Sequence, residues 1–391
     1  MLNKLRLLTP GPTPLPEEVR LALAKDMVHH RKADFIKVME KVQPGLRYLF
    51  GTTEQVLPLT CSGTGAMYAT VTNLFAPSET VLVIEGGKFG ERWREISETH
   101  GLKVLTLVMD AGNAVDPDQV AQMLEKHPEI KGVLVQASET STGVLHPIKE
   151  LGIITRGRDV MLVVDGISAV GISPCPLDAW KIDCLLTGSQ KGLMLPPGLA
   201  LLALSSRAWD RVRLVKPNNF YFNLLVEREK SLGNQTLFTS PVNLIQGLAV
   251  SLDLFQAQTM PGIFRKQWAM TCMARAGVTS LGLELLAKTH FTWGLTSIKM
   301  PVGVDSSQVL KVAAQEYGVV MAGGQGEMKK SVVRLGHMGH VDWSDVLAGL
   351  YALRQGLVVV GGYSAARTYL EDAMHAYEQA LQEGFPGQEE L

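Results

Sequence analysis

Two segments of this 391-residue chain carry residue types that could bind a polar ligand at the end of a buried strand. Ser62-Gly63-Thr64-Gly65 opens a helical run. Small residues at the start of a helix present free amides and a positive dipole end, which suit a phosphate, although such turns are also common without a ligand. Glu139-Thr140-Ser141-Thr142-Gly143 follows another apolar run. Its hydroxyls could bond a polar ligand or serve ordinary turn hydrogen bonds.

Asp165 and Lys191 are the ionisable residues that end two further runs. Asp165 follows Met161-Leu162-Val163-Val164, where burial of an unpaired carboxylate is costly. It could cap the next helix, bind a metal ion or balance the charge of a protonated heterocyclic nitrogen. Lys191 lies in Ser189-Gln190-Lys191-Gly192. A desolvated lysine has a lowered pKa and a nucleophilic amine, whereas a lysine that extends into solvent has neither.

These residues need a sheet whose strands end at one edge. Short, continuously apolar runs separated by helical or loop segments predict an α/β fold with a mainly parallel, seven-stranded type of sheet covered by helices. Ligands bind such sheets at the carboxyl ends of the strands. The predicted strands are residues 80–84, 103–108, 132–136, 160–165, 183–187 and 200–204.

The remaining segments predict an arm and a smaller α+β domain. Four prolines between Thr9 and Pro16 exclude helix and central strand, so this segment is an extended arm, either a surface tether or a cover over a cleft or partner subunit. Long helices are predicted over 242–255, after Pro241, and over 263–286, followed by shorter elements; residues 383–390 are expected to fray. We therefore predict an arm (1–20), a large domain (21–255) and a small domain (256–391).

Composition excludes several classes of protein. A hydrophobic fraction of 46% with a net charge of −1 indicates a compact, folded chain. The sequence lacks the basic stripe that is typical of a nucleic-acid-binding protein. Apolar runs such as 199–204 and 357–360 are far shorter than the roughly 20 residues of a membrane-spanning helix. The four cysteines form no CxxC pair and lack metal-ligand spacing, so we predict reduced thiols, no metal site and a cytoplasmic location.

The order of these segments resembles the class V aminotransferases, which are pyridoxal-phosphate-dependent enzymes of fold type I. Within that family the chain is most similar to the alanine–glyoxylate and serine–pyruvate aminotransferases and to bacterial relatives called soluble hydrogenase subunits. The resemblance covers about residues 5 to 360. The matching segments are Pro10-Gly11-Pro12-Thr13-Pro14, Ser62-Gly63-Thr64-Gly65, Lys88-Phe89-Gly90-Glu91-Arg92-Trp93, Glu139-Thr140-Ser141-Thr142-Gly143, Gly188-Ser189-Gln190-Lys191-Gly192, Pro196-Pro197-Gly198 and Arg334-Leu335-Gly336-His337-Met338-Gly339.

The resemblance implies a role for each matching position. Lys191 would form a Schiff base with pyridoxal phosphate, and Asp165 would pair with the ring nitrogen. Ile167 and Phe89 would pack on the two faces of the ring. Arg334 would bind the substrate α-carboxylate, and Gly11 would also contact the substrate. The remaining cofactor contacts implied are Thr64, Gly65 and Gln190 to the phosphate, Thr140 to the 3-oxygen, and Thr239 to the phosphate of a neighbouring subunit.

Three features depart from the family pattern or have another interpretation. Thr236 stands where animal relatives carry a tyrosine near the phosphate. Arg31-Lys32-Ala33-Asp34 replaces an Arg-Ser-Pro type of sequence, which leaves the roles of His30 and Arg31 open. His337 is interpreted as a structural histidine rather than a base.

The resemblance predicts an aminotransferase acting as a homodimer, with active sites at the subunit interface. We assign no second cation to a distal carboxylate, so we expect small donors (alanine or serine) and small acceptors (glyoxylate or pyruvate). The alternatives are transamination of phosphoserine or aminoethylphosphonate, and desulfuration of cysteine, for which Cys175 would be the thiol to test. A non-catalytic subunit that keeps the fold is a further alternative, and the presence of Lys191, Asp165 and Arg334 argues against it.

Overall fold

The computed structural model describes residues 4–364 and 368–390. These residues form fourteen strands and thirteen α-helices. The strands are β1 (Arg6–Leu8), β2 (Val56–Leu59), β3 (Thr80–Glu85), β4 (Lys103–Val108), β5 (Ile130–Gln136), β6 (Ser138–Glu139), β7 (Val144–Leu145), β8 (Met161–Asp165), β9 (Cys184–Gly188), β10 (Ala200–Leu204), β11 (Glu284–Leu285), β12 (Leu295–Lys299), β13 (Val319–Gly323) and β14 (Val332–Gly336). The helices are α1 (Glu17–Leu23), α2 (Ala33–Phe50), α3 (Gly63–Leu74), α4 (Lys88–Thr99), α5 (Pro117–Lys126), α6 (Ile148–Thr155), α7 (Ser206–Val215), α8 (Leu224–Leu232), α9 (Val242–Gln258), α10 (Met260–Ser280), α11 (Ser306–Tyr317), α12 (Trp343–Gly361) and α13 (Tyr369–Glu383).

The larger sheet has seven strands in the order β2-β10-β9-β8-β5-β3-β4. Neighbours from β4 to β9 pair in parallel, whereas β10 is antiparallel to both β9 and β2. The prediction of a mainly parallel α/β sheet is therefore confirmed. Its central strands read as continuous apolar runs because helices cover both faces. One core includes Val42 of α2 and Leu248 of α9, and the opposite core includes Met67 of α3 and Trp209 of α7.

The smaller sheet has five strands in the order β1-β13-β14-β12-β11. Strand β1 pairs in parallel with β13, and the other pairs are antiparallel. Helices α10, α11 and α12 pack on this sheet and α13 packs on α10, around a separate core that includes Met273, Val309 and Leu350. The N-terminal segment therefore contributes a strand to the smaller sheet before it continues towards the larger one.

Several element bounds differ from the sequence prediction. Helix α1 crosses residue 20, the predicted end of the arm, because Val19 and Ala22 provide it with a buried face. Helix α10 ends at Ser280 rather than 286, since Gly282 has a φ of +75° and strand β11 follows. The predicted division of the chain at residue 255 stays a prediction; helices α9 and α10 meet nearby, at Thr259.

The expectation that residues 383–390 fray is wrong for Phe385. This side chain is 5% exposed and packs edge-on against Phe264 and Trp293, so burial of an aromatic ring holds the chain in place beyond helix α13. Within the described residues, no helix combines the length and apolar character needed to cross a membrane.

Candidate active site

The carboxyl ends of the parallel strands bring the chemically interesting segments together. Strands β5, β8 and β9 are neighbours, and Asp165 pairs in register with Gln136 on one side and Leu186 on the other. The turn that carries Lys191 follows β9, and the hydroxyl-rich segment follows β5. Strands β2 and β3 add the turns that begin α3 and α4. This edge is where a parallel sheet is expected to bind ligands.

A cavity of about 190 Å³ opens at this edge. It brings together seven predicted site residues, namely Thr64, Phe89, Thr140, Asp165, Ile167, Gln190 and Lys191. Ser62, Gly63, Arg92, Ser138 and Ser168 complete the lining.

Lys191 lies beneath the N-terminal arm. Its Nζ donates a hydrogen bond to the Pro10 carbonyl, and Thr13 Oγ1 donates to the Lys191 carbonyl over 3.0 Å. Gly11 has a φ of +120°, and a Cβ there would lie 2.6 Å from Lys191 Nζ, so only glycine fits. The arm therefore covers a cleft within its own chain. Gly11 does not line the cavity, but it contacts the lysine directly.

The pKa of the Lys191 amine is lowered to about 8. Burial is the main cause, because desolvation disfavours the ammonium form. Asp165 opposes this shift, whereas Arg334 adds to it by repulsion between cations. The amine therefore keeps a larger unprotonated fraction near neutral pH than an exposed lysine does, as a nucleophile requires.

Asp165 is 4% exposed, and its Oδ1 accepts a hydrogen bond of 2.8 Å from the Ile167 amide. Burial raises the pKa of this carboxyl to about 7; the Ile167 amide and the charges of Lys191 and Arg92 counteract that rise, and Glu139 adds to it. A carboxyl in this state becomes fully ionised when a cation is placed beside it. It is therefore suited to pair with a protonated ring nitrogen.

The first turn of helix α3 provides unused backbone donors at the same cavity. No side chain caps this helix; the Gly65 amide donates to the Ser62 carbonyl over 2.8 Å, so the amides of Gly63 and Thr64 are the ones left for a ligand. Thr64 Oγ1 accepts a hydrogen bond of 3.2 Å from Arg92 Nη1. Gly65 is not among the lining residues; a Cβ there would lie 2.6 Å from Cys61 Cβ, so this glycine permits close packing of the turn.

Arg334 reaches the larger sheet from strand β14. The side chain is 7% exposed, with Nη1 bonded to the Thr140 carbonyl at 2.9 Å and Nε bonded to the Gly323 carbonyl at 2.8 Å. Two of its five N–H donors are used in these bonds, so others remain for a ligand. The guanidinium thus joins the smaller sheet to the hydroxyl-rich segment that follows β5, beside the cavity.

Thr239 is exposed and lies outside the cavity lining. The neighbouring loop is held by Arg31, which donates to the carbonyls of Thr236 and Leu237. Arg31 and His30 do not line the cavity, and the His30 ring stacks on His29 at 4.8 Å. Within this chain, Arg31 has a supporting role in the loop that carries Thr239.

His337 is fully buried, and its Nε2 lies 3.0 Å from Thr296 Oγ1. Burial lowers its pKa to about 3, so the ring stays neutral. The interpretation of a structural histidine agrees with this environment.

Arg92 and Glu139 are the most informative residues that the sequence interpretation did not assign. Glu139 Oε2 accepts hydrogen bonds from the amides of Phe89 and Gly90, at 3.1 and 3.2 Å, and thus fixes the start of helix α4. Arg92 follows Phe89 by three residues, a spacing that puts both on one face of a helix. That spacing was a usable signal for Arg92, whereas the contacts of Glu139 depend on the folded chain.

The residues present fit pyridoxal phosphate. A buried amine with a lowered pKa suits the aldehyde, and the uncapped start of helix α3 suits the phosphate. Asp165 suits the ring nitrogen.

Comparison with known proteins agrees with this geometry. The model of the family "Aminotransferase class-V" matches residues 10–347. The small subunit of a soluble hydrogenase from Synechococcus sp. (strain PCC 6716) is 34% identical over 92% of this chain and 95% of its own. An L-aspartate–glyoxylate aminotransferase from Paracoccus denitrificans is 31% identical over 90% of both chains.

A solved structure of an alanine–glyoxylate aminotransferase from Nostoc sp. superposes with a TM-score of 0.86 and 29% identity, covering 91% of this chain and 96% of its own. The family match extends over most of the chain and includes the whole cavity lining. The chain belongs to the class V aminotransferases, a pyridoxal-phosphate-dependent family.

Proposed function

We propose that this enzyme transfers the amino group of alanine or serine to glyoxylate or pyruvate, with Lys191 as the residue that attaches the cofactor. One observation carries the proposal: the lysine whose pKa is lowered to about 8 lines the same cavity as Asp165, and Arg334 lies close enough to influence its charge. The amine can attach the cofactor, the carboxylate can pair with the nitrogen of its pyridine ring, and the guanidinium can bind the carboxylate of an amino acid.

Lys191 would serve twice in the reaction. Its unprotonated Nζ would hold the cofactor through the aldehyde carbon, with release of water, and would be freed again when the substrate amine is bound. The free Nζ would then act as the base that accepts the proton from the substrate α-carbon and later donates it again. Bound pyridoxal phosphate supplies the sink for the electron pair left on that carbon.

Asp165 and Arg334 would orient the reactants. Asp165 holds the proton on the ring nitrogen, and the positive nitrogen in turn keeps the carboxylate ionised. The remaining donors of Arg334 bind the substrate α-carboxylate, a planar group that a guanidinium matches better than an ammonium does. Thr140, whose carbonyl accepts from Arg334, also lines the cavity, in support of its predicted contact with the 3-oxygen.

The cavity supports small substrates. Its cationic lining residues, among those described, are Lys191 and Arg92; Lys191 would hold the cofactor, and Arg92 lies at the first turn of helix α3, bonded to Thr64. A donor with a distal carboxylate would need a further cation. The names of two relatives share glyoxylate as the acceptor and differ in the donor, which is alanine in one and aspartate in the other.

We also propose a homodimer in which Thr239 reaches the cofactor phosphate of the partner subunit. The exposure of Thr239 supports this role, because the residue does not line the cavity of its own chain and is open to a partner. Near it, Phe220 is 86% exposed and Tyr221 stacks on Phe238 at 5.0 Å. Exposed aromatic side chains of this kind are typical of subunit interfaces. Sedimentation analysis that found a monomer under assay conditions would contradict the dimer.

Cysteine desulfuration has little support, because it requires a reactive thiolate. Burial raises the pKa of Cys175 to about 12, and that of Cys61, near the cavity, to about 12 as well. Both thiols are therefore protonated and unreactive at neutral pH. All four cysteines are free, which agrees with the proposed cytoplasmic location.

A panel of donors and acceptors tests the substrate proposal. Purified holoenzyme would be assayed with alanine, serine, aspartate, phosphoserine, aminoethylphosphonate and cysteine, each with glyoxylate and pyruvate. We expect the highest kcat/KM with alanine or serine. Preference for aspartate or a phosphorylated donor, or sulfide release from cysteine, would overturn the substrate assignment. A cofactor absorbance band that no amino acid changes would indicate a non-catalytic subunit.

A further inference from the structure

We propose that Arg92 is the cation that binds the phosphate of the cofactor. The inference rests on the proposed function, in which that phosphate lies at the first turn of helix α3. It assigns a binding role to a residue of helix α4 that faces the same end of the cavity.

Among the described residues, no acidic side chain forms an ion pair with Arg92; its charge acts on Asp165 only from beyond ion-pair distance. Arg94, two positions further along helix α4, forms ion pairs with Glu85, Glu91 and Glu98 at 2.9 to 3.9 Å. Lys88 on the same helix pairs with Glu91. Arg92 instead donates one hydrogen bond to a neutral hydroxyl, Thr64 Oγ1, and lines the cavity. A half-buried guanidinium without a carboxylate is a cation prepared for an anionic ligand.

The position of Arg92 fits a phosphate at the start of helix α3. Ser62, Gly63 and Thr64 line the cavity with it, and their turn provides the uncapped amides. Two independent positive groups, a helix dipole and a guanidinium, therefore converge on the same end of the cavity.

Helix α4 would place both a ring contact and a phosphate contact. The guanidinium carbon of Arg92 lies 5.0 Å from the centroid of the Phe89 ring. Residues three apart lie on one face of a helix, so Phe89 can stack on the cofactor ring while Arg92 reaches the phosphate one turn later. Glu139 fixes this helix by accepting from the Phe89 amide.

The bond between Arg92 and Thr64 also orients the hydroxyl. Because Thr64 Oγ1 accepts from Arg92 Nη1, its own hydrogen remains available to a phosphate oxygen. Arg92 would thus act directly, through its remaining N–H donors, and indirectly, through the orientation of Thr64.

The test compares pyridoxal phosphate with pyridoxal, which lacks the phosphate. The equilibrium affinity of the cofactor-free protein for each would be measured by titration of the absorbance, in wild type and in Arg92→Gln. We expect the affinity for pyridoxal phosphate to fall roughly 10- to 100-fold, as for loss of a charge-assisted hydrogen bond, with far less change for pyridoxal. The affinity ratio is the affinity for pyridoxal phosphate divided by that for pyridoxal. Arg94→Gln, on the same helix, is the matched control and should leave this ratio as in wild type.

Other variants separate the possible outcomes. If Arg92→Gln does not fold, Arg92→Met keeps the aliphatic part of the side chain over Phe89 and should show the same selective loss. Equal losses for both ligands would overturn the inference and assign Arg92 to ring packing. An unchanged ratio with selective loss of aspartate turnover would also overturn it, and would assign Arg92 to a distal carboxylate.

Thr64→Ala distinguishes this inference from the proposed function beneath it. If Thr64→Ala lowers the affinity ratio and Arg92→Gln does not, the phosphate lies where proposed and only the Arg92 inference fails. If neither variant changes the ratio, the proposed position of the phosphate fails as well.

Discussion

The seven-stranded sheet contributes its site residues from the ends of parallel strands, where Asp165 is the last residue of β8 and Lys191 lies in the turn after β9. The five-stranded sheet contributes Arg334 from within strand β14, and this side chain reaches the Thr140 carbonyl across the boundary between the sheets. The two sheets therefore serve different parts of the reaction. Attachment of the cofactor depends on one rigid edge, whereas recognition of the substrate depends on how the two sheets are held together.

The N-terminal arm is the element that belongs to both regions. Strand β1 pairs with β13 of the smaller sheet, and Thr13, five residues after the end of β1, bonds the Lys191 carbonyl. The chain therefore ties the nucleophile of the larger sheet to the position of the smaller one. Variants in the two sheets should consequently have different effects, and the following predictions test that difference.

Lys191→Ala should have the largest effect, because it removes both the attachment point and the base on the larger sheet. We expect turnover to fall by roughly 10³-fold or more, with loss of the visible band of the attached cofactor. Steady-state assays and absorbance spectra measure these effects. Lys126→Ala, at an exposed helix end, is the control. Turnover at the wild-type rate in Lys191→Ala would show that the lysine assignment is wrong.

Asp165→Asn should have the next largest effect. Asparagine cannot keep the ring nitrogen protonated, so kcat should fall by about 100-fold or more while the cofactor stays attached to Lys191. The absorbance spectrum tests attachment, and single-turnover assays test the proton-transfer step. A normal kcat would mean that this carboxylate is not the partner of the ring nitrogen.

Arg334→Lys should affect the substrate rather than the cofactor, because it lies on the smaller sheet. Lysine keeps the charge but not the paired donors, so we expect KM for the amino acid to rise about 10-fold with a cofactor spectrum like that of wild type. Loss of the cofactor band together with an unchanged KM would contradict the division between the sheets.

The pH dependence of cofactor attachment should reveal a smaller influence of one sheet on the other. Burial lowers the pKa of Lys191 to about 8, so the rate of attachment to the cofactor-free protein should rise with pH, with a midpoint near 8. The charge of Arg334 contributes to this lowering. Arg334→Gln should therefore move the midpoint to higher pH, and Asp165→Asn should move it to lower pH. Stopped-flow absorbance over a pH series measures both directions; no shift in either variant would contradict the proposed coupling.

The sequence supported prediction of the larger sheet in some detail. Strand β4 and strand β10 have the predicted bounds, and β8 begins one residue later than predicted. Continuous apolar runs identify buried parallel strands, because such strands have no solvent-facing side. The C-terminal residues were harder to predict, since the contact of Phe385 with Trp293 joins two segments far apart in the chain.

The site divides in the same way. The types of residue at strand ends were sufficient to single out Asp165, Lys191 and the Ser62–Thr64 turn, because a charge or a cluster of glycines after an apolar strand is unusual locally. The sequence did not indicate that Pro10 accepts from Lys191, or that the smaller sheet's arginine bonds the Thr140 carbonyl, which is 194 residues away.

The sequence by itself determined the order along the chain of the reactive residues at the strand ends. It also determined the family that this order indicates, since both depend on short local patterns. Only the tertiary structure decided which donors and acceptors meet, which groups lose their water and, as a result, that Lys191 and Asp165 have displaced pKa values. Desolvation and long-range hydrogen bonds depend on every segment packed around an atom, and that information exists only once the chain has folded.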